Sequence, residues 1–247
     1  MIAIAFIYGL AFGSFANVII YRLPRGLEFV KTPSACTSCG GAIRAAHMVP
    51  VLSWLLLRGK CARCGLRISP RYPAVELLTG VMFALMFWRR EGVFEASLWC
   101  VFALYLIIAA FIDADTRTIP DSLNAAGLIA GAAHVTLNWN GALDSLAGAA
   151  VGGGFLFAMD IIARLILKKP GMGGGDIKLM AVCGLFLGWW GALAALWIAA
   201  VTGGAFAVFL LLTKRAARGS YFAFGPFLCA GAAVCGIFAP PFAYLFG

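Results

Sequence analysis

The stretch Gly171-Met172-Gly173-Gly174-Gly175-Asp176-Ile177-Lys178-Leu179 separates two hydrophobic segments and delivers one carboxylate to the start of the second. Glycine adopts backbone angles that other residues refuse and lets a second chain approach closely. An acid at the edge of an apolar segment is costly in lipid, so by default it marks a functional site. A second acid-bearing boundary lies upstream, at Phe111-Ile112-Asp113-Ala114-Asp115-Thr116-Arg117-Thr118-Ile119-Pro120-Asp121. A fold that joins the two boundaries makes a membrane enzyme with two working carboxylates.

The surrounding composition supports a membrane setting. Of 247 residues, 63% are hydrophobic and 12% charged, whereas a soluble domain is about half apolar and about a quarter charged. The expected fold is all-α and polytopic. Apolar runs of spanning length predict about eight transmembrane helices, near 2–21, 73–89, 94–112, 122–138, 142–166, 177–192, 194–213 and 221–246. The first run has no basic start and no small-residue cleavage site, so it is expected to be a helix and not a cleaved signal. The net charge of +9 does not imply nucleic acid, because the basic residues follow the topology. With the loop after the first helix inside, 17 of the 19 Lys and Arg fall at the cytoplasmic face and only Arg89 and Arg90 outside. By the positive-inside rule both acid-bearing boundaries then face the cytoplasm and both termini lie outside.

Three regions are expected: a first transmembrane helix (1–21), a cytoplasmic four-cysteine loop (22–72) and a transmembrane core (73–247). The loop holds Cys36-Thr37-Ser38-Cys39 and, 21 residues on, Cys61-Ala62-Arg63-Cys64, each pair followed by a glycine. Two such knuckles offer four thiolates in a tetrahedron, the pattern of a structural zinc ribbon. A disulfide reading fits poorly in a reducing compartment. In so short a loop the metal would supply most of the folding energy. Cys100, Cys183, Cys229 and Cys235 sit singly in apolar segments and read as core residues. His47 and His134 are isolated.

Other polar residues have plainer readings. Asn17 is expected to bond a neighbouring helix. Glu76, one turn inside the second span, either complements that helix's N-terminus near Arg71 or orders a site. Asp113 and Asp115, two residues apart, point in different directions on a helix; Asp113 is nearer the membrane and is the better buried acid. Asp121 reads as a helix N-cap. Asp144 reads as solvated or capping, and Asp160 as the partner of Arg164 at i+4. Lys178 either tunes Asp176 or reaches the lipid headgroups. The pair Gly225-Pro226 predicts a broken or kinked last helix.

Two acids held close share one proton. The ionised partner can take a proton from water as it attacks a peptide carbonyl, while the neutral one donates to the carbonyl oxygen. At the membrane edge, such a pair suits a substrate anchored by its own apolar segment.

The chain resembles the type IV prepilin peptidases, the leader peptidase/N-methyltransferases of pilus and type II secretion systems. The resemblance rests on Gly13-Ser14-Phe15-Ala16-Asn17 through Arg22-Leu23-Pro24, both cysteine pairs, Ser53-Trp54-Leu55 and Leu57-Arg58-Gly59. It continues in Arg71-Tyr72-Pro73 with Glu76, the Asp113-to-Pro120 segment and Gly173-Gly174-Gly175-Asp176-Ile177-Lys178-Leu179. It implies an aspartic membrane protease of the bacterial inner membrane that removes the basic leader of prepilins or pseudopilins at the cytoplasmic face. The matching catalytic positions are Asp113 and Asp176, with Asp115 as the alternative first acid and Glu76, Lys178, Gly173 and Gly175 as supporting residues. It also implies S-adenosyl-L-methionine as methyl donor for the new N-terminus, and structural zinc on Cys36, Cys39, Cys61 and Cys64. His47-Met48-Val49-Pro50 departs from the Asn-Ile-Pro that relatives often carry. Two other classes compete. A proton- or ion-coupled transporter would use Glu76, Asp113, Asp160 and Asp176 as a relay, but needs acids at several membrane depths. A non-enzymatic scaffold would use the zinc loop for docking, and leaves the glycine run unexplained.

Overall fold

A computed structural model describes residues 1–28, 34–36, 38–44, 47–168, 171–213 and 222–238. Among them the fold is helical, with no strand and two isolated β-bridges. The helices are α1 (Ile2–Arg22), α2 (Leu52–Leu56), α3 (Arg71–Arg89), α4 (Val93–Thr116), α5 (Asp121–Leu137), α6 (Ala142–Leu167), α7 (Gly174–Leu212) and α8 (Gly225–Phe238). The chain forms two compact units, Met1–Ile108 and Ala109–Gly247.

In the first unit α1 packs on α3 through small residues. A Cβ at Gly9 would lie 2.7 Å from the Cα of Gly80, and one at Gly13 would lie 2.7 Å from the Cα of Glu76. Such close approach is how helices associate in lipid, where burial of apolar surface supplies no drive. Asn17 Nδ2 donates to the Tyr72 carbonyl at 3.0 Å, the neighbouring-helix bond its position predicts.

In the second unit α6, α7 and α8 pack together. Straight, α7 would be about 58 Å long, nearly twice the hydrocarbon thickness of a bilayer. It is not straight. A Cβ at Gly152 of α6 would lie 2.6 Å from the Met180 carbonyl oxygen and 3.5 Å from the Ala192 Cβ, residues that a straight helix would hold about 18 Å apart. The chain therefore doubles back between them, at Gly188, whose backbone (φ 67°, ψ −179°) is the one non-helical point in α7. Asp144 at the start of α6 covers this reversal, its Oδ1 accepting from Trp189 N–H at 3.4 Å. Asp144 is exposed, as its solvated reading expects, and it does not cap α6, whose N-cap is Gly141.

A Cβ at Gly188 would collide with the Asp144 carboxylate, in a conformation that disfavours any side chain. Gly188→Ala is expected to destabilise the protein by about 1–3 kcal/mol. Gly204, whose Cβ direction is open, should tolerate alanine or gain up to about 1 kcal/mol. Thermal unfolding of both variants in detergent checks the contrast.

Several boundaries differ from expectation. Among the described residues, four stretches are long and apolar enough to cross a membrane: Ile2–Arg25, Val93–Thr116, Trp139–Ile166 and Gly174–Leu212. Two further expected spans form helices that fall short of that test, because α3 carries Arg71, Glu76 and Arg89 and α5 has only 17 residues. Helix α4 continues past residue 112 to Thr116 and so carries both Asp113 and Asp115. The expected span 221–246 lies partly outside the described residues; within them Gly225 and Pro226 begin α8 and do not break it. Proline suits that first turn, where its missing N–H has no helical partner to lose.

Candidate functional site

The second unit gathers the acids. Asp113 is buried, 4% exposed, in the last turns of α4. Its Oδ2 accepts from Gly225 N–H at 2.9 Å, at the start of α8. The first N–H groups of a helix have no partner within it, so a buried carboxylate is a fitting acceptor there. Asp176 occupies the first turn of α7, its N–H bonded to the Gly173 carbonyl at 3.0 Å. The Asp113 and Asp176 carboxylates are near enough for their charges to act on each other, and both act on the buried Cys229 thiol of α8. Asp115, two residues on, is exposed.

Glycine makes room for this pair at three places. A Cβ at Gly225 would lie 2.6 Å from the Asp113 Oδ2, and one at Gly173 would lie 3.2 Å from the Asp176 Oδ2. A Cβ at Gly175 would lie 3.1 Å from that of Ile119, where the α4–α5 connection packs on the start of α7. Gly225 was not singled out for the site by the sequence reading. Its signal is a glycine directly before a helix-starting proline, which says that a turn occurs but not what meets it.

The remaining candidates separate. Lys178 Nζ binds Asp121 Oδ1 at 2.6 Å, tying α5 to α7. Asp121 is therefore no N-cap: Pro120 precedes the helix and Asp121 is its first residue. Asp160 does pair with Arg164 (Oδ2 to Nε, 2.7 Å), but its other oxygen accepts from Gly171 and Met172 N–H at 2.9 and 3.2 Å. A local reading could not see that second half, because the loop returns from eleven residues away. Glu76 belongs to the first unit, where its Oε2 accepts from Val51 N–H at 2.7 Å. Val51 holds a positive φ of 61°, unfavourable for a β-branched residue, and the Glu76 bond sits on that strained turn.

The cysteines form two matching knuckles. Cys36 N–H bonds the Gly41 carbonyl and Gly40 N–H bonds the Cys36 carbonyl, each at 2.9 Å. Cys61 with Leu66, and Gly65 with Cys61, repeat both bonds at the same length. Gly40 and Gly65 take the left-handed conformation (φ 66° and 71°) that each turn requires. The four Sγ atoms all lie within 4.8 Å of one another. Zinc bonded to four sulfurs at 2.3 Å spaces them about 3.8 Å apart, so a small contraction would seat the ion. Donation from the Cys39 backbone lowers the Cys36 thiol to about 6, and donation from the Cys64 backbone lowers Cys61. For Cys64 the Leu66 N–H acts the same way, but desolvation and the neighbouring sulfurs outweigh it and carry the thiol up to about 11. Four crowded sulfurs that cannot all ionise alone are a fitting donor set for a divalent cation.

Comparison with known proteins gives two family matches along the chain. Residues 7–90 match the bacterial peptidase A24 N-terminal domain, and residues 100–208 match the type IV leader peptidase family. The chain is 34% identical to a protein of Neisseria gonorrhoeae named prepilin leader peptidase/N-methyltransferase, over 92% of this chain and 87% of that one. Proteins of the same name from Burkholderia pseudomallei strain 1026b and Bacillus subtilis strain 168 are 35% and 36% identical. Each of these alignments covers all of this chain, with 88% and 95% of the respective relative. No solved structure matches the chain.

Proposed function

The chain belongs to the type IV leader peptidase family, and we propose on that premise that it is a bacterial multi-pass membrane enzyme that cleaves the leader from prepilins or pseudopilins. The relatives are also named N-methyltransferases, and methylation of the new N-terminus with S-adenosyl-L-methionine as donor is part of this proposal. Transport and scaffolding explain neither the family match nor the paired acids.

The observation that supports the reading is a buried Asp113 whose carboxylate accepts from Gly225 N–H, in the same unit as Asp176 at the start of α7 and within electrostatic reach of it. Asp113 is assigned as the first acid in preference to Asp115 because it is buried and bonded to Gly225 N–H. The two titrate as a unit. The ionised member takes a proton from water as the oxygen bonds to the scissile carbonyl carbon. The neutral member gives its proton to the carbonyl oxygen. Collapse of the tetrahedral centre breaks the C–N bond: the proton just taken goes to the leaving amine, and one hydroxyl proton returns to the carboxylate that gave its own, restoring the pair.

Eight membrane crossings are proposed, with the reversal at Gly188 dividing α7 into two of them. The positive-inside distribution supports a cytoplasmic site and zinc loop. The proposed division is a first helix (1–21), a zinc loop (22–72) and a peptidase core (73–247). Cys36, Cys39, Cys61 and Cys64 would hold structural zinc, whose chemistry there is to fix the loop and not to activate water.

The test is purified protein in lipid with a prepilin and S-adenosyl-L-methionine, the product N-terminus being read by mass spectrometry. A shortened, methylated product is expected; uncut substrate with well-folded protein would remove the reading. Gly225→Ala supplies a sharper check, because its methyl group would displace the Asp113 carboxylate. Cleavage should fall roughly 100-fold for a shift of about 1 Å. Unchanged cleavage would separate Gly225 from the chemistry.

A further inference from the structure

We infer that Asp160 is a positioning residue for Asp176, acting through the glycine loop; this deepens the peptidase reading and rests on it. Asp160 lies within α6 and is 4% exposed. Its pairing with Arg164 uses only Oδ2. The other oxygen holds the loop, accepting from two consecutive backbone N–H groups, those of Gly171 and Met172. Bonds to an ionised acceptor are stronger than neutral ones.

Such a clasp matters because the described part of the loop is mostly glycine. Gly171, Gly173, Gly174 and Gly175 carry no side chain to pack, and glycine loses more freedom than any other residue when ordered. Gly171 rests on Ala163, so closely that a Cβ there would overlap that of Ala163. At the far end Gly175 rests on Ile119. Between these anchors the chain turns at Gly173 (φ −71°, ψ 135°) into the helix that carries Asp176. Asp160 thus holds the entry of the loop while Ile119 holds its exit. Freed at the entry, the most permissive stretch of the chain would leave Asp176 unregistered against Asp113.

The test compares Asp160→Ala with the double variant Asp160→Asn/Arg164→Gln, using a prepilin peptide in lipid. The double variant keeps an acceptor for the loop amides and a neutral partner at position 164. Asp160→Ala should lower kcat roughly 100-fold with KM little changed, and speed hydrogen exchange at Gly171 and Met172. The double variant should retain most of kcat and the slow exchange. Should Asp160→Ala fail to fold, Asp160→Leu, which removes both acceptor oxygens while keeping side-chain volume, takes its place with the same expected results. Wild-type kcat or unchanged exchange in Asp160→Ala would overturn the inference. So would a loss of cleavage matched by equal losses of thermal stability and of methylation of pre-cut substrate, which is the mark of a merely structural residue. If the wild-type protein cuts no prepilin, the peptidase reading fails by itself, and the exchange measurement still decides whether Asp160 orders the loop.

Discussion

Asp176→Asn is expected to reduce leader cleavage by at least about 10³-fold, within the range of 10²–10⁴ that a positioned acid or base contributes. The same loss is expected for Asp113→Asn. The amide can still accept from Gly225 N–H through its remaining oxygen, so the geometry of α4 against α8 should survive. What disappears is the shared proton: with one member permanently neutral, the pair can no longer both take a proton from water and give one to the carbonyl oxygen. Asp115→Asn provides the internal contrast. That residue is exposed, and its loss should leave the rate near wild type. Cleavage surviving Asp113→Asn but lost in Asp115→Asn would transfer the first acid to Asp115. Survival in all three variants would end the two-carboxylate mechanism.

Metal removal should have the second large effect, on the loop. The described loop residues hold each knuckle by a few backbone bonds, and the two knuckles meet through four sulfurs. Structural zinc in small peptides supplies an apparent ~10–16 kcal/mol at neutral pH, far above what a bridge pair contributes. Cys36→Ser combined with Cys39→Ser removes half of the donor set. This variant should lose bound zinc, and trypsin should cut it at Arg63 and Arg67 much faster than wild type. The Val51–Glu76 bond ties the same segment to α3, so Glu76→Gln tests whether the loop has a second anchor; its digestion should stay slow while zinc is bound. Equal digestion with and without metal would show that the loop folds without the ion.

Much of this is legible in the sequence. The Cys-x-x-Cys pairs specify a donor set because their chemistry is local: four residues and a following glycine make a knuckle wherever they occur. Apolar runs located every long helix for the same reason. Two errors and one half-complete reading share one cause. Asp121 read as a cap and Gly225-Pro226 as a break, each from its nearest neighbours, and Asp160 read correctly as the partner of Arg164 but without its second set of partners. The distant partners are Lys178, Asp113 and the Gly171–Met172 amides.

The sequence by itself determined the ingredients: apolar segments in order, charges sorted by side, two thiol knuckles, and acids at two boundaries. Tertiary structure decided which of those acids is buried and which is exposed. Burial of Asp113 and exposure of Asp115 follow from the face that α4 presents to its neighbours, and two residues of rotation separate the outcomes. The reversal at Gly188, the seat of Gly225 against Asp113 and the clasp of Asp160 are likewise contacts between segments far apart in the chain. Such contacts depend on how helices pack, and no local pattern of residues encodes that.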